Sequence, residues 1–509
     1  MDKEMPVCMK KYRLQSKEEK DMQTISAAQA GVHSADLQAF MNRLEAHGIN
    51  MHSVLMARHG KLFFEAYWQP FQAQTLHRMY SVTKSFVSVA IGCLVDEGKL
   101  KLDDHIVDFF PDKLPENVPY EISRMTIRDM LTMCTCFTSG DWIFPGVTDR
   151  VRFYFSKKPD KPSGTLFTYD SNASYVMGVL VERLSGMGLM DYLRKRVFQH
   201  IGGFENAYML QTPDGTPWSD SALMATPRDL MRFAQFVMNR GCWEGKQLMS
   251  AEYLAEATRP QVTNDTDNRK AFDRYGYGYQ FWMTEHNGFA FSGMGGQIAI
   301  CVPEKDFVFV CTGDNQLNGH LTDPATYDAV FRCIVERMAD EALPEEEPME
   351  LPELKLPVVS GRKHTSFAEE ISGKWYVCEE NPMGISRFKL TFFGEDEGLF
   401  TYVNEQGEKQ LPFGLGKNAF GKFPQAGYFN DRGNVPTTDF YYDCAVSAAW
   451  QEERRLMMLV QVIDRYFGQM VATFAFRDDV GVMWMTKSAE QFMNEYIGRA
   501  NVRMENVDA

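Results

Sequence analysis

The sequence contains no long uninterrupted hydrophobic run and no excess of positive charge. No segment offers the ~20 apolar residues that a membrane-spanning helix needs. The first residues mix acidic and basic side chains, unlike the apolar core of a secretory signal. Acidic residues number 68 against 53 basic ones, which gives a net charge of -15. Nucleic acids and anionic membranes bind basic surfaces, so we expect neither a nucleic-acid partner nor membrane insertion.

Cysteine and histidine do not occur in the patterns of metal sites. The close pair Cys134 and Cys136 is C-x-C, with no second cysteine pair at zinc spacing. Neither H-E-x-x-H nor a nucleotide-binding glycine motif is found. We therefore expect no metal and no organic cofactor. Cysteines among apolar neighbours are typical of free thiols in a reducing compartment, so the expected location is cytoplasmic.

A segment rich in proline and glutamate, residues 343–362, divides the chain. Its prolines remove backbone donors and its glutamates favour solvation, as in a linker. We predict an N-terminal extension over residues 1–25, a first domain over 26–342 and a C-terminal domain over 363–509. Strand patterns at both ends of a helix-rich middle indicate an α+β first domain, with an antiparallel sheet flanked by helices and an inserted helical region. Short strands separated by turn residues indicate a small all-β second domain, barrel-like or a sandwich.

Ser81 and Lys84 form an S-x-x-K sequence at the start of an apolar helix pattern. On a helix, positions i and i+3 share one face, so the amine of Lys84 can reach the hydroxyl of Ser81. A serine hydroxyl becomes a good nucleophile when a neighbouring base accepts its proton, and a neutral lysine amine can be that base. An ordinary helix cap is the alternative. The same motif recurs without a following helix pattern at Ser360/Lys363 and Ser386/Lys389.

Tyr169 precedes a second apolar helix pattern, and Ser171 follows two positions later. A tyrosine hydroxyl at such a place can relay a proton between Lys84 and a leaving group. Packing of the tyrosine in the core is the alternative.

A third segment, Ser292-Gly293-Met294-Gly295-Gly296, brings bare backbone close to whatever occupies a neighbouring cleft. Backbone N–H groups there and at Ser81 can form an oxyanion hole, which binds the negative charge that builds on a carbonyl oxygen. A glycine-rich turn within a sheet is the alternative.

Taken in order, these segments resemble the serine β-lactamase-like and penicillin-binding hydrolases, in particular the branch of class C β-lactamases, carboxylesterases and 6-aminohexanoate-dimer hydrolases. The likeness runs from about Ser53 to Asn315. Further matching segments are LDDHIVDFFPD, MTIRDMLTM and SALMATPRDLMRFAQFVMNRGCWEGKQLMS. The resemblance implies a β-lactamase/transpeptidase-like fold for the first domain. It also implies catalytic roles for four residues: the nucleophile Ser81, the base Lys84, the proton relay Tyr169 and, with Ser81, the oxyanion donor Met294. Ser171, Ser292 and Gly293 are expected in the oxyanion or substrate-binding part of the same site.

Two positions depart from that family's pattern. Ser171 stands where Asn is frequent, and Phe291-Ser292-Gly293 stands where Lys-Thr-Gly or His-x-Gly is frequent. The lysine would hold the carboxylate of a penicillin or peptide. Its absence favours an esterase or amidase for less charged substrates over a β-lactamase. Acyl transfer from the same acyl-enzyme and an inactive ligand-binding protein are the alternatives.

A small-molecule acyl compound is the expected substrate, but its identity does not follow from the sequence. The oligomeric state is also open, a homo-oligomer included. Some relatives carry a lipocalin-like barrel after the hydrolase domain, and the strand pattern here is compatible with one. Four aromatic residues of this second domain either form its core or wall the substrate cleft: Trp375, Tyr376, Phe388 and Trp450.

Overall fold

The computed structural model describes residues 22–138, 147–264, 275–316, 322–431, 437–489 and 492–505. Most of the predicted N-terminal extension therefore lies outside the described residues. Among those that are described, no helix has both the length and the apolar character to cross a membrane.

The described residues form twelve α-helices. In chain order these are α1 (Ser34–Ala46), α2 (Thr83–Asp96), α3 (Tyr120–Ser123), α4 (Ile127–Leu131), α5 (Arg150–Ser156), α6 (Ser171–Ser185), α7 (Leu189–Leu193), α8 (Gln199–Ile201), α9 (Pro227–Met238), α10 (Ala251–Ala257), α11 (Thr322–Ala329) and α12 (Ser366–Ile371). Short 3-10 or π turns occur at Tyr80–Val82, Ile106–Phe109, Arg194–Phe198, Pro303–Lys305 and Val330–Val335.

Eleven strands precede α12 and ten follow it within the described residues. The first set is β1 (Met51–Arg58), β2 (Lys61–Tyr67), β3 (His77–Arg78), β4 (Tyr208–Met209), β5 (Leu223–Ala225), β6 (Cys242–Trp243), β7 (Lys246–Gln247), β8 (Trp282–Met283), β9 (Phe289–Gly293), β10 (Gln297–Val302) and β11 (Phe307–Gly313). The second set is β12 (Trp375–Cys378), β13 (Arg387–Phe393), β14 (Glu397–Asn404), β15 (Gly407–Leu415), β16 (Ala419–Lys422), β17 (Asp443–Glu452), β18 (Arg455–Ile463), β19 (Phe467–Arg477), β20 (Val480–Ala489) and β21 (Gly498–Met504).

A six-stranded antiparallel sheet in the order β2-β1-β11-β10-β9-β8 forms the centre of the first domain. Because side chains alternate along a strand, each strand contributes to both faces. Leu55 of β1 packs in the cluster with α2 and α9, whereas Val54 packs with α1 and the segment after α11. The sheet is therefore covered by helices on both faces, and the predicted α+β architecture is confirmed.

Helix α2 is buried along nearly its whole length, from Thr83 to Leu94. A helix that is apolar on all sides belongs in the interior of a domain. It packs against α6, with Phe86 stacked on Phe233 of α9 at 3.7 Å between ring centroids. This burial fixes the N-terminal end of α2, where Ser81 lies.

The C-terminal domain is a closed barrel. Its strands follow the order β15-β14-β13-β12-β21-β20-β19-β18-β17, and β17 pairs in parallel with β15 to close the ring, while β16 lies at the side of β17. Closure removes the open sheet edges that would otherwise invite aggregation. The predicted all-β, barrel-like domain is thus confirmed.

Most of the four aromatic residues for which the sequence left two roles open, barrel core or wall of the substrate cleft, lie inside the barrel. Tyr376, Phe388 and Trp450 are buried in the barrel, and Phe388 lies 5.2 Å from Phe474 between ring centroids. Trp375 is half-buried beneath the cation of Lys389. For Tyr376, Phe388 and Trp450 the alternative that they wall the substrate cleft is therefore wrong.

The segment between the two domains is docked along part of its length. Residues 343–364 form no helix or strand, but Lys355 pairs with Gln69 of the first domain as an isolated bridge. Leu356 is only 2% exposed and packs with residues of both domains. This segment is therefore not solvated along its whole length, in contrast to the prediction from its glutamates. The exact domain boundaries stay a prediction.

Candidate active site

Ser81 lies in the short helical turn Tyr80–Val82 that leads directly into α2. Lys84 Nζ, one helical turn later, donates a hydrogen bond of 2.9 Å to Ser81 Oγ. Lys84 is only 2% exposed, whereas Ser81 is half-buried. The geometry therefore combines a shielded amine with a hydroxyl that remains reachable.

A second contact fixes the amine of Lys84. Its Nζ also donates to the backbone oxygen of Asp220 at 2.6 Å. The Asp220 carboxylate forms a buried ion pair with Arg150, at 3.1 Å between Oδ1 and Nη1. Arg150 in turn donates to Asn172 Oδ1 at 2.9 Å and lies over the ring of Tyr175. Both side chains of the ion pair are almost fully buried, and within the described residues Arg150 Nε and Asp220 Oδ2 have no hydrogen-bond partner. The network supports Lys84 through the ion pair and the bond from Arg150 to Asn172.

No sequence pattern indicates this support of Lys84. Arg150 and Asp220 are separated by 70 residues and belong to no spacing pattern. The only available signal was that Asn172 lies beside the Tyr169 segment.

Tyr169 lies next to Lys84, with the lysine Nζ 5.1 Å from the centre of its ring. Trp282 stacks on the same ring at 5.6 Å between centroids and an angle of 20°, and Tyr169 also packs against the cluster of Met133, Cys134, Phe167 and Tyr277. Trp282 therefore holds the orientation of Tyr169, although the sequence reasoning did not single it out.

Ser171 is the buried first residue of α6. The preceding Asp170 caps this helix by accepting hydrogen bonds from the N–H groups of Asn172 and Ala173. Burial raises the pKa of the Asp170 carboxyl group. No described hydrogen bond joins Ser171 to Ser81 or Lys84, so its assignment as a substrate-binding residue stays a prediction.

The end of β9 approaches the backbone of the nucleophile segment very closely. A Cβ atom placed on Gly293 would lie 3.1 Å from Ser81 N and 2.5 Å from Met79 O. No side chain fits there, which explains the glycine. The backbone of Gly293 therefore lies close to the backbone N–H of Ser81, and Met294 is the next residue in the chain.

The loop after Gly293 is held by the side chain of Gln297. Its amide nitrogen donates to Met294 O at 2.9 Å and to Gly313 O at 2.7 Å, and its oxygen accepts from Gly313 N. Gly295 and Gly296 take φ values of 81° and 92°, in the region that glycine adopts without steric cost. Gln297 is a further residue that the sequence reasoning missed.

Phe291 and Ser292 occupy opposite faces of β9. Phe291 is buried and packs edge-on against Phe281 and Phe233. Ser292 pairs with Ile298 of β10 on the face away from α2. The structure thus brings Gly293 to Ser81 but gives the Ser292 hydroxyl no described hydrogen bond with Ser81 or Lys84. The assignments of Met294 as an oxyanion donor and of Ser292 to the site stay predictions.

The two other S-x-x-K sequences have different surroundings. Ser386 donates to Val403 O at 3.3 Å, while Lys389 Nζ lies over the Trp375 ring. Ser360 is exposed in the segment between the domains. In the described residues the close lysine–serine contact therefore belongs to Ser81.

The described cysteines are free. Cys134 and Cys136 are both buried, and burial raises the pKa of the Cys136 thiol to about 12. These properties are those of structural thiols. One exposed group, Glu285, His286 and Glu336, has a spacing that could hold a cation, but Arg332 forms ion pairs with both carboxylates.

Comparison with known proteins identifies the family. A family model described as Beta-lactamase matches residues 35–320, more than half of the 509 residues. The chain belongs to the beta-lactamase family. This is a family of serine-type hydrolases with esterase and amidase relatives.

The individual similarities are modest. The 6-aminohexanoate-dimer hydrolase of Paenarthrobacter ureafaciens is 24% identical over 280 residues, which cover 50% of this chain and 70% of that protein. The Beta-lactamase of Escherichia coli (strain K12) is 26% identical over 139 residues, 26% of this chain and 35% of that protein. A structure of a β-lactamase-like protein from Bacteroides dorei DSM 17855 aligns with a TM-score of 0.50 at 17% identity, covering 59% of this chain and 98% of its own. This last similarity concerns the fold alone.

Proposed function

We propose that this protein is a serine hydrolase that cleaves an ester or amide through an acyl-Ser81 intermediate. The observation that carries the proposal is the 2.9 Å contact between the buried Lys84 Nζ and Ser81 Oγ. A base within hydrogen-bond reach of a serine hydroxyl is the arrangement that activates such a nucleophile.

The first chemical step transfers one proton and forms one bond. A neutral Lys84 amine accepts the hydroxyl proton while Ser81 Oγ bonds to the substrate carbonyl carbon. The carbonyl electron pair moves to oxygen, and the backbone N–H groups of Ser81 and Met294 stabilise this oxyanion. The intermediate then collapses, and the alcohol or amine leaves with the proton that Lys84 took up, relayed by Tyr169. Attack of water on the acyl-enzyme repeats these steps and releases the carboxylic acid.

The carbonyl of Asp220 has a defined part in this scheme. It accepts one N–H of the lysine at 2.6 Å, so the amine cannot rotate freely. In the neutral amine this bond occupies one N–H, and the lone pair is free to accept the proton of Ser81 across the 2.9 Å contact. Fixing the base before the reaction removes an entropic cost from the transition state.

The surroundings of β9 favour an uncharged acyl group. Phe291 stands where many members of this family carry a lysine, and its ring is buried among other aromatic side chains. No lysine at that position is available to bind the carboxylate of a penicillin. We therefore place the protein among esterases or amidases, consistent with its similarity to a 6-aminohexanoate-dimer hydrolase.

The test is covalent labelling with a fluorophosphonate, read by intact-protein mass. Wild type should gain one adduct and Ser81→Ala none. Ser386→Ala is the matched control, because it removes a serine from the same motif at a site without the lysine contact, and it should label as wild type does. An unlabelled, folded wild type, or a labelled Ser81→Ala, would refute the proposal and favour a ligand-binding protein.

Hydrolysis and acyl transfer use the same acyl-enzyme and are separated by their products. A short p-nitrophenyl ester is incubated with and without methanol. Release of the free acid alone supports hydrolysis, whereas accumulation of the methyl ester identifies an acyltransferase.

A further inference from the structure

The turn between β18 and β19 of the barrel inserts into the first domain beside the nucleophile. We call residues 463–467 the insertion turn. The backbone N–H of Phe467 donates a hydrogen bond of 3.1 Å to the hydroxyl of Tyr80, which directly precedes Ser81. These two residues are 387 positions apart in the chain. The second domain therefore contacts the residue next to the nucleophile.

Tyr80 has a backbone conformation that needs such support. Its φ is 45°, in the left-handed region that side chains other than glycine rarely adopt. Strain of this kind persists where the surrounding structure holds the residue in place. Here the insertion turn binds the hydroxyl group of Tyr80. The backbone conformation of Tyr80 in turn determines the position of the next residue, Ser81.

Arg78 connects the insertion turn with the support of Lys84. Its guanidinium group is fully buried between aromatic rings, 4.4 Å from the centre of Tyr80 and 4.6 Å from the centre of Tyr466. Its Nε donates to the backbone oxygen of Ser221 at 3.1 Å. Ser221 follows Asp220, whose carbonyl binds Lys84. One side chain thus joins the barrel, the nucleophile segment and the segment that holds the base.

The ring of Phe467 completes the contact. It stacks on the ring of His77, with 4.1 Å between the ring centroids and 10° between the ring planes. His77 is the residue before Arg78 in β3. Phe467 also belongs to a small apolar cluster with Phe71 and Tyr80, against which the side chain of Met294 packs. The insertion turn therefore touches both the nucleophile side and the oxyanion side of the site.

Polar contacts around the turn fix its position. Gln316 donates to Phe467 O at 2.8 Å, and Gln469 donates to Asp314 O at 2.8 Å. Both bonds join the first domain to the barrel, and Asp314 and Gln469 are buried. These bonds pair polar groups that the contact buries, so they fix the position of the insertion turn.

We propose that Tyr466 and Phe467 are positioning residues for catalysis, so that the barrel is a structural part of the active site. The inference rests on the proposed function. The insertion turn holds Tyr80 and Arg78, these hold Ser81 and the Asp220 segment, and the result is the alignment of Ser81 with Lys84. Small displacements at such a site reduce the rate more than they reduce substrate binding.

Three variants test the proposal by steady-state kinetics with a short p-nitrophenyl ester. Tyr80→Phe removes only the hydroxyl that accepts from Phe467. Phe467→Leu removes the ring from His77. Phe474→Leu is the matched control, because it makes the same change on the same strand, inside the barrel. We expect kcat to fall roughly tenfold or more in the first two with KM nearly unchanged, and kcat to stay at the wild-type value in Phe474→Leu even where its Tm is lower.

Hydrogen–deuterium exchange of the peptide around Met79–Val82 gives a readout that does not depend on activity. Exchange there should be faster in Phe467→Leu than in both wild type and Phe474→Leu. Unchanged exchange, or wild-type kcat in Tyr80→Phe with wild type labelled at Ser81, would overturn the inference. Failure of wild type to label refutes the proposed function instead, and the exchange result still decides whether the barrel positions the nucleophile segment.

Discussion

Arg150 and Asp220 form an ion pair from which water is almost excluded, with 3.1 Å between Nη1 and Oδ1. Their side chains are 6% and 0% exposed. The backbone oxygen of the same Asp220 accepts the hydrogen bond from Lys84. The ion pair consequently fixes the position of the base, although neither of its side chains contacts Ser81.

This relationship predicts a loss of both stability and rate in Arg150→Met. The change leaves the Asp220 carboxylate buried without its partner, which costs about 3–5 kcal/mol of unfolding free energy. The Asp220 carbonyl is also released, so kcat should fall while KM changes little. Urea unfolding and ester kinetics measure the two effects. Adding Asp220→Leu removes the unpaired charge and should recover much of the stability; if it recovers none, the ion pair does not account for the loss.

Tyr169→Phe tests the proton relay. The phenyl ring can still stack on Trp282, so the fold should be preserved while the relay is lost. Loss of general acid–base assistance lowers kcat by ~10²–10⁴-fold. The control is Tyr277→Phe, since Tyr277 also packs against Trp282 but lies in the core. Equal kcat in Tyr169→Phe and Tyr277→Phe would exclude Tyr169 as the relay.

Gly293→Ala should impair the oxyanion side of the site. The added methyl group would meet Met79 O at 2.5 Å and Ser81 N at 3.1 Å, so the backbone must shift. We expect labelling of Ser81 to slow by roughly 10²-fold, because displaced reacting groups are costly. Gly421→Ala is the control, as a Cβ there has no heavy atom within 4 Å. Normal labelling of Gly293→Ala would show that the contact is not needed.

The buried pair His52 and His77 predicts a dependence of stability on pH. His52 Nδ1 and His77 Nε2 lie 2.8 Å apart, and burial lowers the pKa of His77 to about 3 and that of His52 well below its usual value. In the unfolded chain both titrate near pH 6.5. The unfolded state therefore binds more protons below that pH, and the stability present above pH 6.5 is lost progressively as the pH falls towards 3.

The expected loss is on the order of 1–2 kcal/mol per histidine between pH 6.5 and 5. Urea unfolding of wild type at a series of pH values measures it. The double variant His52→Gln/His77→Gln should show a flatter dependence over the same range. The same slope in both proteins would assign the effect to other groups.

The sequence alone was sufficient to predict those features whose contacts join residues close together in the chain. Ser81 and Lys84 are three residues apart, and helical geometry alone brings such side chains to one face. Short strand patterns separated by turn residues likewise predicted an antiparallel sheet in the first domain and an all-β second domain. Burial on one face imposes a period of two on several barrel strands, whereas β1, β10 and β11 are buried on both faces and show no such alternation.

The tertiary structure decided which distant residues complete the site. Asp220 reaches Lys84 across 136 positions and Phe467 reaches Tyr80 across 387. Contacts between a backbone group and a remote side chain produce no periodic pattern in the sequence. They also require no particular residue type at the backbone position, so no sequence pattern predicts them. The nucleophile and its base therefore lie within one helical turn that the sequence predicts. Their supports form only when the first domain folds, in the case of Asp220, and when the barrel packs against it, in the case of Phe467.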